Sequence, residues 1–251
     1  MPKNILDYGL GAHRDVEDER DFPYAKAALA AIPETLAALP TAVDNRALFG
    51  PIFDQKKEGA CVGMSMAAAA YKLFHGDEIF SPRWAYWHAR FHDEIPGEAY
   101  EGSTIRGGLK AWNQLGICPW DFWPYVPYDE GGRLALANEE ALYYPLGSYE
   151  RLDTHQQVLY AIAEDGFVLV TGEVHSGWRK PTSNKHRISY RSNFVKYGLH
   201  AYPIVGFDDN AGYWLARNSW GTDWGDGGHA WMKYDDYHDN VADVWRAVGV
   251  Q

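Results

Sequence analysis

Four residues in this 251-residue chain have the types and order needed for covalent chemistry at an acyl carbon: Gln55, Cys61, His200 and Asn218. Cys61 heads an unbroken helical run, Cys61-Val62-Gly63-Met64-Ser65-Met66-Ala67-Ala68-Ala69-Ala70-Tyr71-Lys72-Leu73-Phe74. A thiol in a first helical turn lies near the positive end of the macrodipole and near unpaired backbone donors, so its anion is favoured and it becomes a nucleophile. His200, at the start of an expected strand, would take or hold the thiol proton, and Asn218, at the end of the next strand, would orient the imidazole. Gln55 offers an amide that, with the Cys61 backbone N–H, would hold the oxyanion of a tetrahedral intermediate.

The elements that must carry these groups change character along the chain. Residues 43–150 read as a helical lobe, with the Cys61 run, the aromatic segment Trp84–Phe91 and a helix from Ile105 to Leu115 ended by Gly116. Asp153 and Gln156 have the spacing of a capping box opening a helix toward Glu164. Beyond it come short β-rich or aromatic runs, Phe167–Val170, His200–Phe207, Tyr213–Arg217, His229–Met232 and Trp245–Val248, separated by turn residues. Helices first and strands second describe an α+β fold of two segregated lobes, residues 43–150 and 151–251. Residues 1–42 form an extension, a charged stretch His13–Asp21 followed by an Ala-rich segment broken by Pro23, Pro33 and Pro40.

At the third segment the sequence resembles the papain-like cysteine peptidases (family C1). Gln55 with Gly59-Ala60-Cys61, then His200-Ala201, then Asn218-Ser219-Trp220-Gly221-Thr222-Asp223-Trp224-Gly225 with Gly227 and Gly228, follow that family's order. Cys61 and His200 stand 139 residues apart (61 to 200) and Cys61 and Asn218 157 (61 to 218); the family spacing is roughly 130–150. Val43-Asp44-Asn45-Arg46 resembles the start of mature members, so the likeness runs from about residue 43 to 251.

The resemblance implies a papain-like two-lobed fold, with a helical N-terminal lobe, an antiparallel β-barrel-like C-terminal lobe and the active site in the cleft between them. It implies a thiolate–imidazolium pair of Cys61 and His200, oriented by Asn218, with Gln55 in the oxyanion hole and Trp220 covering the Asn218–His200 bond. Gly102-Ser103 would pair with substrate backbone, and Val170 and Ala201 would wall the main specificity pocket. The activity implied is endopeptidase hydrolysis of peptides or proteins through an acyl-enzyme, without metal or other cofactor. Two rival readings keep the fold: a transpeptidase or peptide cyclase using the same acyl-enzyme, and a catalytically idle binding module. The sequence departs from the family pattern at Glu58, where a cysteine is usual three residues before the nucleophile, and at Val62, where an aromatic is usual.

Composition narrows the partners. A formal net charge of −11 would repel nucleic-acid phosphates and anionic lipid. No run reaches the length of a membrane span, and the first residues lack the apolar stretch of a secretory signal. Only Cys61 and Cys118 are present, which excludes a disulfide framework and fits a reducing cytoplasm, with bacterial or viral members of the family in view. Residues 1–42 would act as a brace, a plug or a short pro-segment, the last two inhibiting the cleft intramolecularly.

Other motifs read more plainly as structure. Gly63-Met64-Ser65-Met66-Ala67 looks like a serine nucleophile elbow, but its serine lies inside a helix rather than after a strand. His88 and His92 have zinc-ligand spacing, but Ala89 stands where a zincin needs Glu. Cys118 reads as buried packing, and Glu101, Asp121 and Asp235-Asp236 read as solvated charge.

Overall fold

The run from Cys61 forms helix α1 (Cys61–Leu73), whose first ten residues are all buried. A helix apolar on every side belongs inside a protein, and its small residues let neighbours close on it. A Cβ on Gly63 would lie 2.3 Å from the Pro82 carbonyl oxygen, at the start of α2 (Pro82–His92). Ser81 caps α2 by accepting the Trp84 N–H, with Pro82 in the first turn, where its missing N–H costs nothing. Thr104 caps α3 (Ile105–Leu115) in the same way, and Gly116 ends it at φ 80°. Helices α1, α2 and α3 pack on one another, and α4 (Leu134–Ala141) buries Ala137 and Ala141. The computed structural model describes residues 5–18, 21, 39–95, 101–130, 134–179, 181 and 186–250; the Pro23 and Pro33 segment lies outside them.

Among the described residues, seven strands form one antiparallel sheet: β1 (Ala42–Asp44), β2 (Leu146–Arg151), β3 (Val168–His175), β4 (Lys196–Asp208), β5 (Tyr213–Arg217), β6 (His229–Lys233) and β7 (Val241–Gly249). The order is β2-β7-β3-β4-β5-β6, with β1 against β4, so the α+β arrangement is as expected but the sheet stays open rather than closing as a barrel. Two short helices complete the lobe, α5 (His155–Asp165) and α6 (Tyr234–Asn240). The capping box of α5 is Thr154 with Gln157, one residue later than the sequence suggested, because the threonine hydroxyl accepts the Gln157 N–H. Strands cross the boundaries drawn at residues 42/43 and 150/151. Strand β1, which straddles the first boundary, and β2, at the end of the supposed helical lobe, both pair into the sheet, leaving the helices between them.

The sheet separates two cores. One face, with Leu169, Ala201, Val205 and Trp245, packs on Cys61 and α1. The other, with Val170, Tyr202, Ile204 and Trp214, packs on α5 and a tryptophan cluster of Trp178, Trp220 and Trp224. The first core brings α1 and β4 together, placing the helix that begins at Cys61 beside the strand that carries His200.

The described part of the extension does not stand apart from these lobes. Residues 8–13 run as an extended strap across both. The Gly9 N–H donates to the Lys56 carbonyl at 3.1 Å, the Ala12 N–H to that of Leu199 at 3.3 Å and the His13 N–H to that of Ser103 at 2.9 Å, while the Ser103 N–H donates to Gly11 at 2.8 Å. A Cβ on Gly9 would lie 2.3 Å from the Glu58 carbonyl carbon and one on Gly11 2.1 Å from the Gly59 oxygen, so only glycine lets the strap approach so closely. Past the strap, Asp15 and Asp21 meet Arg106: Nη1 bonds both Asp21 oxygens at 2.9 Å, and Nε lies 4.0 Å from Asp15 Oδ1.

Candidate active site

Cys61 owes its position to a helix that starts without a side-chain cap. Ala60 at the N-cap offers no side chain to the first-turn N–H groups, which leaves them to other acceptors. The sulfur is fully buried. Burial pushes its thiol up, while the backbone N–H groups of Ala201, Gly11, Val62 and Cys61 itself pull it down. Burial thus opposes the anion that the helix terminus favours, because the strap and both lobes exclude the water a thiolate needs.

His200 follows the same logic with opposite sign. Fully buried, its imidazole is pulled down to about 4, against the raising effect of its bond to Asn218. Nε2 donates to Asn218 Oδ1 at 2.9 Å, which leaves the lone pair on Nδ1; Nδ1 is buried with no hydrogen-bond partner among the described residues. Burial thus disfavours charge on both the thiol and the imidazole expected as a thiolate–imidazolium dyad, and no hydrogen bond joins them here. Asn218 is itself held by its N–H donating to Gly228 at 2.9 Å, and its Oδ1 also accepts the Ser219 N–H at 2.8 Å.

Trp220 lies 5.0 Å from the His200 ring, centroid to centroid, and Tyr202 lies 5.9 Å away. The strap closes the stack from outside: Tyr8 lies 4.7 Å from Trp220, nearly parallel, and its hydroxyl donates to the Trp220 carbonyl at 3.1 Å.

Gln55 is buried with its amide fixed at both ends. Ser219 donates its hydroxyl to Oε1 at 2.6 Å, so the NH₂ end must face the cleft. That end donates to the Gly9 carbonyl at 2.8 Å and to Glu58 at 3.1 Å. A peptide carbonyl of the chain's own strap therefore occupies the donor that sequence reasoning assigned to an oxyanion. Ser219 was not singled out in the sequence, although its place beside Asn218 in the same block was the available signal.

The remaining assignments divide. Gly102-Ser103 lies on the strap, Ser103 pairing with Gly11 and His13 as described, and Gly102 holds φ 109° with the Gly11 oxygen where a Cβ would sit. Ala201 faces the first core beside Cys61 and Ala12. Val170 does not join it. Its cross-strand partner is Tyr202 and it packs in the second core, on the opposite face of the sheet, whereas Thr171 is the residue opposite Ala201. A shift of one along a strand exchanges faces, so Val170 cannot share a pocket wall with Ala201.

Ser65 is inside α1, His88 bonds Asn138 Oδ1 at 2.9 Å, and among the described residues no group of three His, Cys, Asp or Glu could hold a metal. Cys118 is buried, and burial pushes its thiol up to about 12. Asp121 is exposed, but Asp236 is not solvated charge. It is 1% exposed and both its oxygens lie 3.0 Å from His175 Nε2, a buried pair 61 residues apart in sequence that no local pattern announces.

Comparison with known proteins adds to this geometry. The model of papain family cysteine proteases matches residues 94–246, a span that holds His200 and Asn218 and begins after Gln55 and Cys61. A peptidase C1-like protein of Acanthamoeba polyphaga mimivirus is 26% identical over 211 residues, 76% of this chain and 68% of its own length. Fruit bromelain of Ananas comosus is 26% identical, over 78% of this chain and 56% of its own length. The chain thus spans little more than half of several curated relatives, thiol protease aleurain of Arabidopsis thaliana at 57% among them. Among solved structures, xylellain, a cysteine protease from Xylella fastidiosa, superposes with a TM-score of 0.82 at 28% identity, covering 100% of this chain and 99% of its own. A digestive procathepsin L 3 of Tenebrio molitor shares the fold at a TM-score of 0.67, 17% identity, and coverage of 94% and 76%.

Proposed function

Since the chain belongs to the papain family of cysteine proteases, we propose that it is an endopeptidase held closed by its own N-terminal strap. Opening of the strap readmits water to Cys61 and His200, which lowers the cost of charge on both and lets the thiol proton pass to Nδ1. The thiolate attacks a peptide carbonyl. The carbonyl oxygen, becoming an oxyanion, takes the Gln55 amide and the Cys61 N–H. The imidazolium gives its proton to the leaving amine, then accepts one from the water that splits the thioester. Asn218 keeps the ring turned throughout, with Trp220 excluding water from the bond between them. The substrate is a peptide or protein, and no step calls for a cofactor. With both cysteines free, the protein would work in a reducing cytoplasm.

The observation that carries this reading is the carbonyl of Gly9 seated on Gln55 Nε2 at 2.8 Å, a peptide group already in the donor that the chemistry requires. The fold is shared with two digestive procathepsins of Tenebrio molitor, in keeping with a strap that closes the cleft. The test is a peptide library incubated with the full chain and with Cys61→Ala under reducing conditions. Cleavage lost in the variant is expected; cleavage that persists, or peptide joining in place of hydrolysis when an amine is added, would overturn the assignment.

A further inference from the structure

The loop from Gln55 to Cys61 has to hold an amide and a backbone N–H within a few tenths of an ångström, yet it carries no covalent tie, since both cysteines of the chain are free thiols. At its middle stands Glu58, only 3% exposed. Its Oε1 meets Arg83 Nη1 of α2 at 2.5 Å, and the two side chains are 4% and 2% exposed. Its Oε2 lies 2.7 Å from the Tyr125 hydroxyl, which also lies 2.9 Å from the Gln55 carbonyl, so one phenolic proton serves two acceptors on the same loop. The Glu58 carbonyl in turn accepts from Gln55 Nε2 at 3.1 Å. Arg83 lies over the Tyr86 ring at 5.0 Å, and Tyr86, one turn further along α2, accepts the Gly102 N–H at 2.8 Å. One face of α2 therefore grips both the loop below the sulfur and the edge beside Ser103.

We propose that Glu58, Arg83 and Tyr125 are positioning residues for the oxyanion donors, a buried charged brace that sets the Gln55 amide and the Cys61 N–H at the depth an attacked carbonyl requires. This rests on the endopeptidase reading. Burying two charges is costly, and although the Arg83 Nε is buried without a hydrogen-bond partner among the described residues, Nη1 and both Glu58 oxygens are engaged, so the pair favours one arrangement of the loop and penalises others. Removal of one partner leaves a charge stranded beneath the catalytic amide. The brace joins the loop at its backbone and at Glu58, not at the sulfur, so it acts on the donors and spares the nucleophile.

That difference gives the test. A peptide aldehyde adds to Cys61 and acquires an oxyanion, whereas iodoacetamide alkylates the sulfur without one. In the full chain, Tyr125→Phe should weaken aldehyde binding and lower kcat about tenfold and Glu58→Gln about a hundredfold, partial displacement and the lower end, respectively, of the roughly 10²–10³-fold cost of losing an oxyanion donor. KM and the iodoacetamide rate should stay within about twofold. Tyr125→Phe removes a single oxygen and covers the case in which Glu58→Gln fails to fold, as a thermal melt would reveal. Aldehyde affinity unchanged in both variants, or a fall matched by equal losses in alkylation and melting temperature, would overturn the positioning role. Cys61→Ala, run alongside, tests the parent reading separately: if it still cleaves peptides, the nucleophile is wrong whatever the brace does.

Discussion

Replacing Gly11 by alanine should open the cleft. The added Cβ would lie 2.1 Å from the Gly59 carbonyl oxygen, where ordinary contact begins at 3.4 Å, and its next neighbours, the Gly59 Cα and carbonyl carbon, are also backbone. The approach is close from both sides, since a Cβ on Gly59 would itself lie 2.9 Å from the Gly11 Cα. The variant must lift the strap or bend it. Lifting breaks the pairing of Ser103 with Gly11 and His13 and the bond from Gln55 to Gly9. Overpacking costs about 1–3 kcal/mol, and backbone neighbours put this site at the upper end. Three kcal/mol is roughly a hundredfold in the open population at about 1.4 kcal/mol per tenfold. Alkylation of Cys61 by iodoacetamide reads that population directly while reclosing is faster than reaction. The variant should react about a hundredfold faster than the wild type at equal thiolate fraction. Val16→Ala, at a position 57% exposed in the same extension, should change nothing. A Gly11→Ala rate within twofold of wild type, in a chain whose melt is unaltered, would refute the view that this strap controls access.

Two further outcomes follow from the same geometry. Asn218→Ala removes the acceptor 2.9 Å from His200 Nε2, and kcat should fall roughly 10–100-fold with KM little changed, as measured by steady-state hydrolysis of a peptide substrate. The second concerns pH. Burial lifts Asp15 to about 6, with the hydrogen bond from Thr104 opposing, the charge of Asp243 adding and that of Arg106 opposing. A carboxyl whose docked value exceeds its free value favours docking when protonated, so this contribution is full below about pH 4 and is lost as pH rises through about 6. Alkylation of Cys61, corrected for thiolate fraction, should therefore accelerate between pH 4 and 6.5 in the wild type. Asp15→Asn, neutral throughout, should flatten that rise, and a rise unchanged in the variant would assign it to other groups.

What the sequence disclosed was whatever a short segment can encode. The Asn218–Gly228 block and the helix at Cys61 are local, and so were the change from helices to strands and the glycine ending α3. Long-range pairs were hidden. Nothing near Glu58 points to Arg83, 25 residues away, and nothing near His175 points to Asp236. Val170 was misplaced because strand register, set by pairing with β4, decides the face, and a motif alignment carries no such information. The state of the dyad was the largest gap. Helix position favours an anion at Cys61, but burial opposes it, and the path of the strap depends on two glycines whose close approach leaves no pattern in the chain.

Strand β1 pairs with β4, the strand that carries His200, so the extension is stitched to the sheet at Ala42–Asp44 as well as laid through the cleft at residues 8–13. About 20 residues lie between Asp18 and Leu39. A released strap stays covalently joined to the sheet, so its return is intramolecular and independent of how dilute the protein is. Dilution cannot wash it away, and free peptide of the same sequence would be a poor substitute for it. Only a cut in the connecting segment turns a reversible closure into a dissociable one, so scission of a single bond there would convert a reversible opening into a permanent one.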